Sequence, residues 1–333
     1  MATAPNTPKP NTIEDSDPQI KAFDMWKEEC YRNKEHYLNW GTTKLNEALR
    51  GTKGGMSVLI GGQPNFGKSQ LLTNIISNIL INNEDVIVID YSLDDPRNKR
   101  LTQYIASSAK LDMNTVDFIN TVTDKAKLDR FDEACSRFKK WLESNKLYIF
   151  ESSSDESTVN QASIKFIVDK TEEIRKRHPT SKLIVAIDSL NDIEVSIRSD
   201  DPYVRSEASA KELNRLIVRT NSVLLASTHI RKNGGRRPTL EDLKGNNFLA
   251  YSAKVAIGVH NDIKLNKKKA QVFWIGKRPD GTTVDMPILE AHFLKSKVSD
   301  FNGAIVFKQW PAQARLEEPE DQSSYIDMIY GKV

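Results

Sequence analysis

Residues Gly62 to Ser69 read GQPNFGKS, the spacing G-x-x-x-x-G-K-[ST] of a phosphate-binding loop. Each fixed position has a physical reason. Glycines permit backbone conformations in which several N–H groups converge on phosphate oxygens. Lys68 adds a positive charge over the terminal phosphates, and the Ser69 hydroxyl suits an Mg²⁺ ligand. Gln63, Pro64, Asn65 and Phe66 fill the loop, Gly67 closes it, and Gln70 follows. The flanks agree with this chemistry. Met56–Ile60 is a short apolar run suited to a buried parallel strand, and apolar residues recur at helical spacing from Leu71 to Leu80. Strand, glycine loop and helix in that order set the phosphates at a helix N-terminus. The loop is read as binding a nucleoside triphosphate.

A phosphate loop works with a second acid. Leu183–Asp188 (LIVAID) is an apolar strand ending in a carboxylate, placed to sit beside Ser69 and hold Mg²⁺ through water. Hydrolysis also needs a group that orients or deprotonates water. Asp94 is the candidate, because it follows the apolar strand Val86–Ser92 at the same sheet edge. Its neighbour Asp95, just before Pro96, competes as a helix cap, and Asp94 is preferred.

These groups need a scaffold, and the pattern supplies one. Further apolar strands are expected at Lys146–Phe150 and Val223–His229, with helical segments over Arg100–Leu142, Val159–Arg177 and Arg205–Thr220. Beyond His229, short strands are expected near Lys254–His260, Ala270–Gly276, Ile288–Leu294 and Ala304–Lys308, with Lys264–Lys269 as a charged hairpin turn. The chain is therefore α/β first and β-rich later, a mostly parallel sheet extended by antiparallel strands. Residues 1–18 are polar and Pro-rich and read as a disordered arm. Ile20, Phe23, Trp26 and Cys30 form an apolar stripe on a helix ahead of the domain, within residues 19–39. Residues 40–317 form the domain, and 318–333 an acidic then apolar tail.

Composition limits the alternatives. A net charge of +3 over 333 residues gives no bulk attraction to nucleic acid, so any such site is local. Cys30 and Cys135 provide neither a disulfide framework nor metal-ligand spacing. No run is long and apolar enough to cross a membrane and none looks like a signal peptide, so no membrane partner and a cytoplasmic location are expected.

Several segments in order resemble the RecA-like ATPase domain of DnaB-family replicative helicases, from about Asn39 to Glu317. Trp40–Asn46 is similar to the family's leading T-G-x-x-x-L-[DN] segment. Ser92-Leu93-Asp94 stands where the family has S-L-E, whose acid is the catalytic base. LIVAIDSLNDI, from Leu183, is similar to the family's Walker B strand. Ala226–Lys232 occupies the place of A-L-S-Q-L-N-R, making His229 the counterpart of a γ-phosphate-sensing glutamine. Arg237–Asn246 matches the family's DNA-contacting loop, and Leu294–Lys297 with Gly303 resembles K-x-R-x-x-x-x-G. Three departures stand out. Asp94 is one methylene shorter than Glu, His229 must hold the right tautomer, and Lys297 lacks the planar fork of an arginine finger. Arg278 is an alternative finger.

The resemblance implies an ATP- and Mg²⁺-dependent DNA helicase, a homo-oligomer of six subunits with ATP between neighbours and single-stranded DNA in the centre. It implies Lys68, Ser69, Asp94, Asp188 and His229 acting from one subunit, and Lys295 and Lys297 from the next. The implied direction is 5′-to-3′. DNA contacts fall to Lys244, Gly245, Asn246 and Asn247, with Arg198 and Arg205 as additions. The helix at 19–39 becomes a linker helix docking on a neighbouring subunit. The tail residues Tyr325–Tyr330 suit a partner such as a primase, polymerase or single-strand-binding protein. Two other functions fit the same sequence: a RecA-like recombination protein switched by ATP, and an accessory DNA-binding protein whose hydrolysis has weakened.

Overall fold

The computed structural model describes residues 18–32, 38–152, 160–196, 201–231, 234–246, 252–277 and 281–331. Two compact units are present, Met1–Tyr37 and Leu38–Val333. In the first, the described part is a single helix, α1 (Pro18–Arg32). Its Ile20, Phe23 and Trp26 are all exposed, and the Phe23 and Trp26 rings lie 5.6 Å apart on one stripe. The arm at 1–17 and residues 33–37 lie outside the described residues.

In the second unit α2 (Thr43–Leu49) leads into β1 (Met56–Gly62), α3 (Lys68–Asn82), β2 (Val86–Ser92), α4 (Arg97–Ala109), α5 (Met113–Asp117) and α6 (Lys125–Glu143). Then come β3 (Leu147–Glu151), α7 (Ile164–Arg177), β4 (Lys182–Asp188), α8 (Pro202–Arg219) and β5 (Ser222–His229). The remainder is mostly strand: β6 (Val255–His260), β7 (Phe273–Lys277), β8 (Thr283–Ser296), β9 (Gly303–Trp310) and β10 (Arg315–Glu317).

Among the described residues all ten strands join one sheet in the order β10-β9-β8-β6-β1-β5-β4-β2-β3, with β7 paired to β8. From β6 to β3 neighbouring strands run parallel, and β8, β9 and β10 extend the β6 edge antiparallel. The sequence dictates this split. Strands such as VIVIDYS and KLIVAID are continuous apolar runs, buried almost throughout, as expected where helices cover both faces. Leu71, Leu72, Ile75, Ile76 and Ile79 of α3 are each at most 1% exposed. Each contributes roughly 1.5–3 kcal/mol by burial. Because β1, β5, β4 and β2 are parallel neighbours, their C-terminal ends meet along one edge. That is where ligands bind in open α/β sheets.

Four expectations change. The long helical segment Arg100–Leu142 is three helices: Lys110 takes a left-handed conformation after α4, and the Asp124 carboxylate caps α6 by accepting from the Ala126 N–H at 3.0 Å. The lysine run at 264–269 is not a hairpin turn. Asn261 caps a short helix, Asp262–Asn266, with its Oδ1 accepting from the Lys264 N–H at 3.0 Å, and a 3-10 turn follows. β8 is far longer than Ile288–Leu294 because β7 pairs with its first half and β6 and β9 with its second. The tail forms a helix, Ser323–Tyr330, whose Ile329 is buried and whose Tyr325 and Ile326 pack against Val272, Ile288 and Val306. Its apolar anchors cover the chain's own sheet, leaving Met328 and Tyr330 exposed. Among the described residues no helix is long and apolar enough to cross a membrane.

Candidate active site

Gly62 ends β1, and the loop after it turns directly into α3. Asn65 and Gly67 adopt positive φ, 64° and 105°. A Cβ on Gly67 would lie 2.6 Å from Leu289 Cδ1 and 2.9 Å from Gln309 Nε2, so glycine is required there on both grounds. The Lys68 ammonium folds back over the loop, donating to the Gln63 carbonyl at 3.1 Å and approaching His229 Nδ1 at 3.4 Å. Burial lowers the Lys68 pKa, and the charges of Asp188 and Asp94 oppose that shift. The loop encloses one side of a cavity of about 340 Å³.

Pro64, Asn65, Gly67, Lys68, Ser69 and Gln70 line this cavity, and so do Asp94, Asp188 and His229. Two residues of the loop play other parts. Phe66 is buried, its ring edge-on to His260 at 5.9 Å, and Gln63 contributes its carbonyl to Lys68. Gln70 lines the cavity while bound within the domain: it accepts from Gln309 Nε2 at 2.6 Å and donates to the Arg315 carbonyl at 2.9 Å.

The two aspartates after β2 separate cleanly. Asp95 accepts from Lys99 Nζ at 2.5 Å and from Gln103 Nε2 at 3.1 Å, so α4 holds it. Asp94 is exposed and lines the cavity, and its backbone N–H is held by the Asp188 carbonyl at 3.0 Å. Partial burial raises its pKa, and the charges of Asp192, Asp95 and Asp188 add to the shift. A carboxylate with raised proton affinity, open to the cavity beside the phosphate loop, is placed to accept a proton from water.

Asp188 closes β4, buried. Its carboxylate accepts from the Ser227 hydroxyl of β5 on Oδ1 and from Arg100 Nη1 on Oδ2 at 3.1 Å. Ser69 and Asp188 line one cavity, and a hydroxyl with a carboxylate is a hard-oxygen donor set of the kind Mg²⁺ takes. His229 ends β5 on the same edge, its backbone N–H donating to Asn191 Oδ1 at 2.9 Å. Contact with the Lys68 ammonium makes Nδ1 the acceptor, which leaves Nε2 as the ring's N–H donor. Burial lowers the His229 pKa and Lys68 lowers it further, favouring the neutral ring.

Lys295 and Lys297 lie elsewhere. Lys295 pairs with Ala256 near the start of β6, and the Lys297 N–H donates to the Lys254 carbonyl at 2.9 Å. The phosphate loop leaves β1 level with Val259, at the other end of β6. The strand path from Lys254 to Val259 that separates Lys297 from the loop is about 16 Å long. Burial, with the neighbouring charges of Lys297 and Lys254, lowers the Lys295 pKa.

The candidate DNA loop is anchored firmly. Asp242 accepts two bonds from Arg236, at 2.9 and 2.6 Å, and one from the Thr239 N–H at 2.8 Å. Arg237 donates to the fully buried Glu290 at 2.7 and 3.2 Å. Leu243 is fully buried against Gly61, where a Cβ would come within 2.0 Å of Leu243 Cδ2. The loop therefore presses on β1 one residue before the phosphate loop begins. Lys244, Gly245 and Asn246 end its 3-10 segment, while Asn247, Arg198 and Arg278 lie outside the described residues. Arg205 is exposed near the start of α8.

Sequence reasoning missed Arg100, Asp90, Asp192 and Asn191. Arg100 was hidden inside a charged helical stretch, and a charged residue on a helix normally faces solvent.

The sequence profile of the DnaB-like helicase C-terminal domain matches residues 38–298. A search of curated proteins gives no match. Among solved structures, one described as an ATPase domain superposes with a TM-score of 0.76 at 17% identity, covering 92% of this chain and 100% of that one. A DnaB-like replicative helicase, solved to describe its structure and its interactions with primase, gives 0.71 at 18% identity, covering 92% of this chain and 68% of that one. A KaiC-like protein from Pyrococcus horikoshii OT3 gives 0.53 at 12% identity, covering 84% and 97%. At these identities the likeness is one of fold: a RecA-like core with a central, mostly parallel sheet.

Proposed function

The chain belongs to the DnaB-like helicase C-terminal domain family, and from that premise we propose that it is an ATP-driven motor that moves along single-stranded DNA in replication. One observation carries the proposal. Lys68, Asp94, Asp188 and His229 share one cavity, while Lys297 stands at the opposite edge of the same sheet. Such a site is completed by a second copy placed head to tail, an arrangement that closes as a ring or extends as a spiral. A hexamer and 5′-to-3′ movement are the forms that the family resemblance implies.

In this reading Lys68 and the loop amides bind the triphosphate, and the Asp94 carboxylate takes a proton from the attacking water. His229 Nε2–H reports the γ-phosphate and passes its state along β5, next to β1 and the loop at 240–246. Ser69 and Asp188 would hold Mg²⁺, which supplies charge neutralisation on the phosphates. Lys244, Gly245, Asn246 and Asn247 would track the DNA backbone, with no sequence reading needed. A primase or another replication protein is the partner class proposed, with exposed Met328 and Tyr330 the part of the C-terminal helix still open to it.

The deciding measurement is ATP hydrolysis with and without single-stranded DNA, for the unmodified chain and for Lys68→Ala. DNA should stimulate turnover by about tenfold or more, and the variant should lose at least ~10²-fold, the scale of removing one preorganised charge-stabilising group. ATP binding without hydrolysis in either condition would sink the motor and leave an ATP-gated DNA-binding protein. That second reading has its own support in the shorter acid at 94, the histidine at 229 and the lysine at 297.

A further inference from the structure

Arg100 is 0% exposed, an unusual position for a guanidinium, and it sits between two carboxylates. Its Nε and Nη2 donate to Asp90 at 2.8 and 3.0 Å, a bidentate fork, and its Nη1 donates to Asp188 at 3.1 Å. Asp90, in β2, is equally buried and also accepts from the Tyr104 hydroxyl at 2.7 Å. The group is built from three elements: Asp90 from β2, Asp188 from β4, and Arg100 with Tyr104 from α4.

Stability alone does not account for such a cluster. Well-packed apolar residues of similar volume would fill the space at equal or lower cost, since desolvation offsets most of the attraction in a buried ion pair. Geometry does account for it. A planar fork can satisfy Asp90 with two N–H groups and still direct a third at Asp188, which a lysine cannot do. The Ser227 hydroxyl holds the other oxygen of Asp188, and the Leu93 and Asp94 N–H groups hold its carbonyl at 2.6 and 3.0 Å. Asp188 is therefore fixed at carboxylate and backbone, and α4, which carries Arg100, begins just after Asp94 and Asp95.

We propose that Arg100 is the positioning residue for Asp188, orienting its carboxylate toward the Mg²⁺ of the bound nucleotide, with Asp90 as the strut that holds Arg100. This rests on the nucleotide reading given above. Arg100 reaches Asp188 from within the core, so its effect passes through the aspartate.

The test keeps the charge of the site constant. Arg100 with Asp90 and Asp188 carries one net negative charge, and so does the double variant Arg100→Met with Asp90→Asn, in which the asparagine still accepts from Tyr104. Binding of a fluorescent ATP analogue is titrated with Mg²⁺, and again in excess chelator, alongside thermal melting. Nucleotide binding in chelator should change by less than about twofold, because the phosphate loop is untouched. The Mg²⁺ concentration for half-maximal tightening should rise by about tenfold or more, as when a residue orienting a metal ligand is removed. Arg100→Lys keeps the cation and serves if the double variant melts early; it should raise the Mg²⁺ requirement too, since a single ammonium nitrogen cannot reproduce the bidentate fork to Asp90 while a separate nitrogen reaches Asp188. A folded variant with an unchanged Mg²⁺ requirement would overturn the proposal and leave Arg100 a packing element. Absence of Mg²⁺-dependent binding in the unmodified chain is a distinct result, overturning the nucleotide reading itself.

Discussion

Asp94→Asn is expected to lower DNA-stimulated ATP turnover by about 10²–10⁴-fold, the range for losing a positioned general base, while Asp95→Asn costs less than about tenfold. The two residues are adjacent in sequence and carry the same group, so the contrast isolates geometry. Asp95 spends its carboxylate on Lys99 and Gln103 of α4, whereas the Asp94 carboxylate faces the cavity. The pH profile gives an independent reading. Partial burial and the charges of Asp192, Asp95 and Asp188 raise the Asp94 pKa. A base acts deprotonated, so activity falls as pH drops through that raised pKa, and the acid limb lies above the usual aspartate range. His229 is displaced the opposite way, its pKa lowered by burial and by Lys68. Protonating it would place two cations together and remove the Nδ1 acceptor, which also lowers activity in acid. The variants separate these causes: in His229→Gln a limb that persists belongs to Asp94. An Asp95→Asn enzyme weaker than Asp94→Asn would move the base to Asp95, which lines the same cavity, and a profile flat into acid would remove Asp94 from the role.

What the sequence made legible follows from how local each signal is. The phosphate loop, its strand and its helix are contiguous, so motif and fold coincide over Met56–Asn82. Asp188 and Asp94 are read as acids at or just beyond the ends of apolar strands, and His229 through the family resemblance. Parallel pairing then brings them together, since β1, β5, β4 and β2 are neighbours and share an edge. Arg100 was not legible. It lies in RNKRLTQY, where Arg97, Lys99 and Arg100 look alike, and only the third is buried. Its burial depends on Asp90 and Asp188 reaching it from β2 and β4, a coincidence of three segments that no spacing rule encodes. The packing of the tail is hidden for a similar reason. YIDMIY reads as apolar anchors suited to a partner, and in the fold Tyr325, Ile326 and Ile329 meet the apolar patch of Val272, Ile288 and Val306 on strands and turns formed earlier in the chain. Strand extension also escaped notice: β8 is long because β7 and β9 offer it partners over different halves, and pairing is not written in the strand's own residues.

Lys297→Ala should reduce turnover by ~10²-fold or more, less than the 10³–10⁵ attributed to an arginine finger, because a lysine offers charge without the bidentate fork. The informative experiment mixes two inactive chains. Lys297→Ala has an intact phosphate loop and lacks the candidate finger; Lys68→Ala has the reverse. Within one chain the two lysines belong to opposite ends of the strands, separated by the path from Lys254 to Val259 along β6, about 16 Å long. No folding of a single subunit brings Lys297 over its own cavity without breaking the β6–β8 pairing that fixes it. In a head-to-tail assembly of equal parts, the cavity of a Lys297→Ala subunit meets the finger of a Lys68→Ala subunit at about one quarter of interfaces. Mixing should therefore recover activity that neither variant has alone, up to about that fraction, and recovery should depend on subunit exchange. Failure to recover, with exchange demonstrated, would mean that Lys297 does not act across the interface or that coupling between all subunits is obligatory. A triple mixture containing unmodified chain separates these, since obligatory coupling makes activity fall steeply with each inactive subunit added, and independent sites make it fall in proportion.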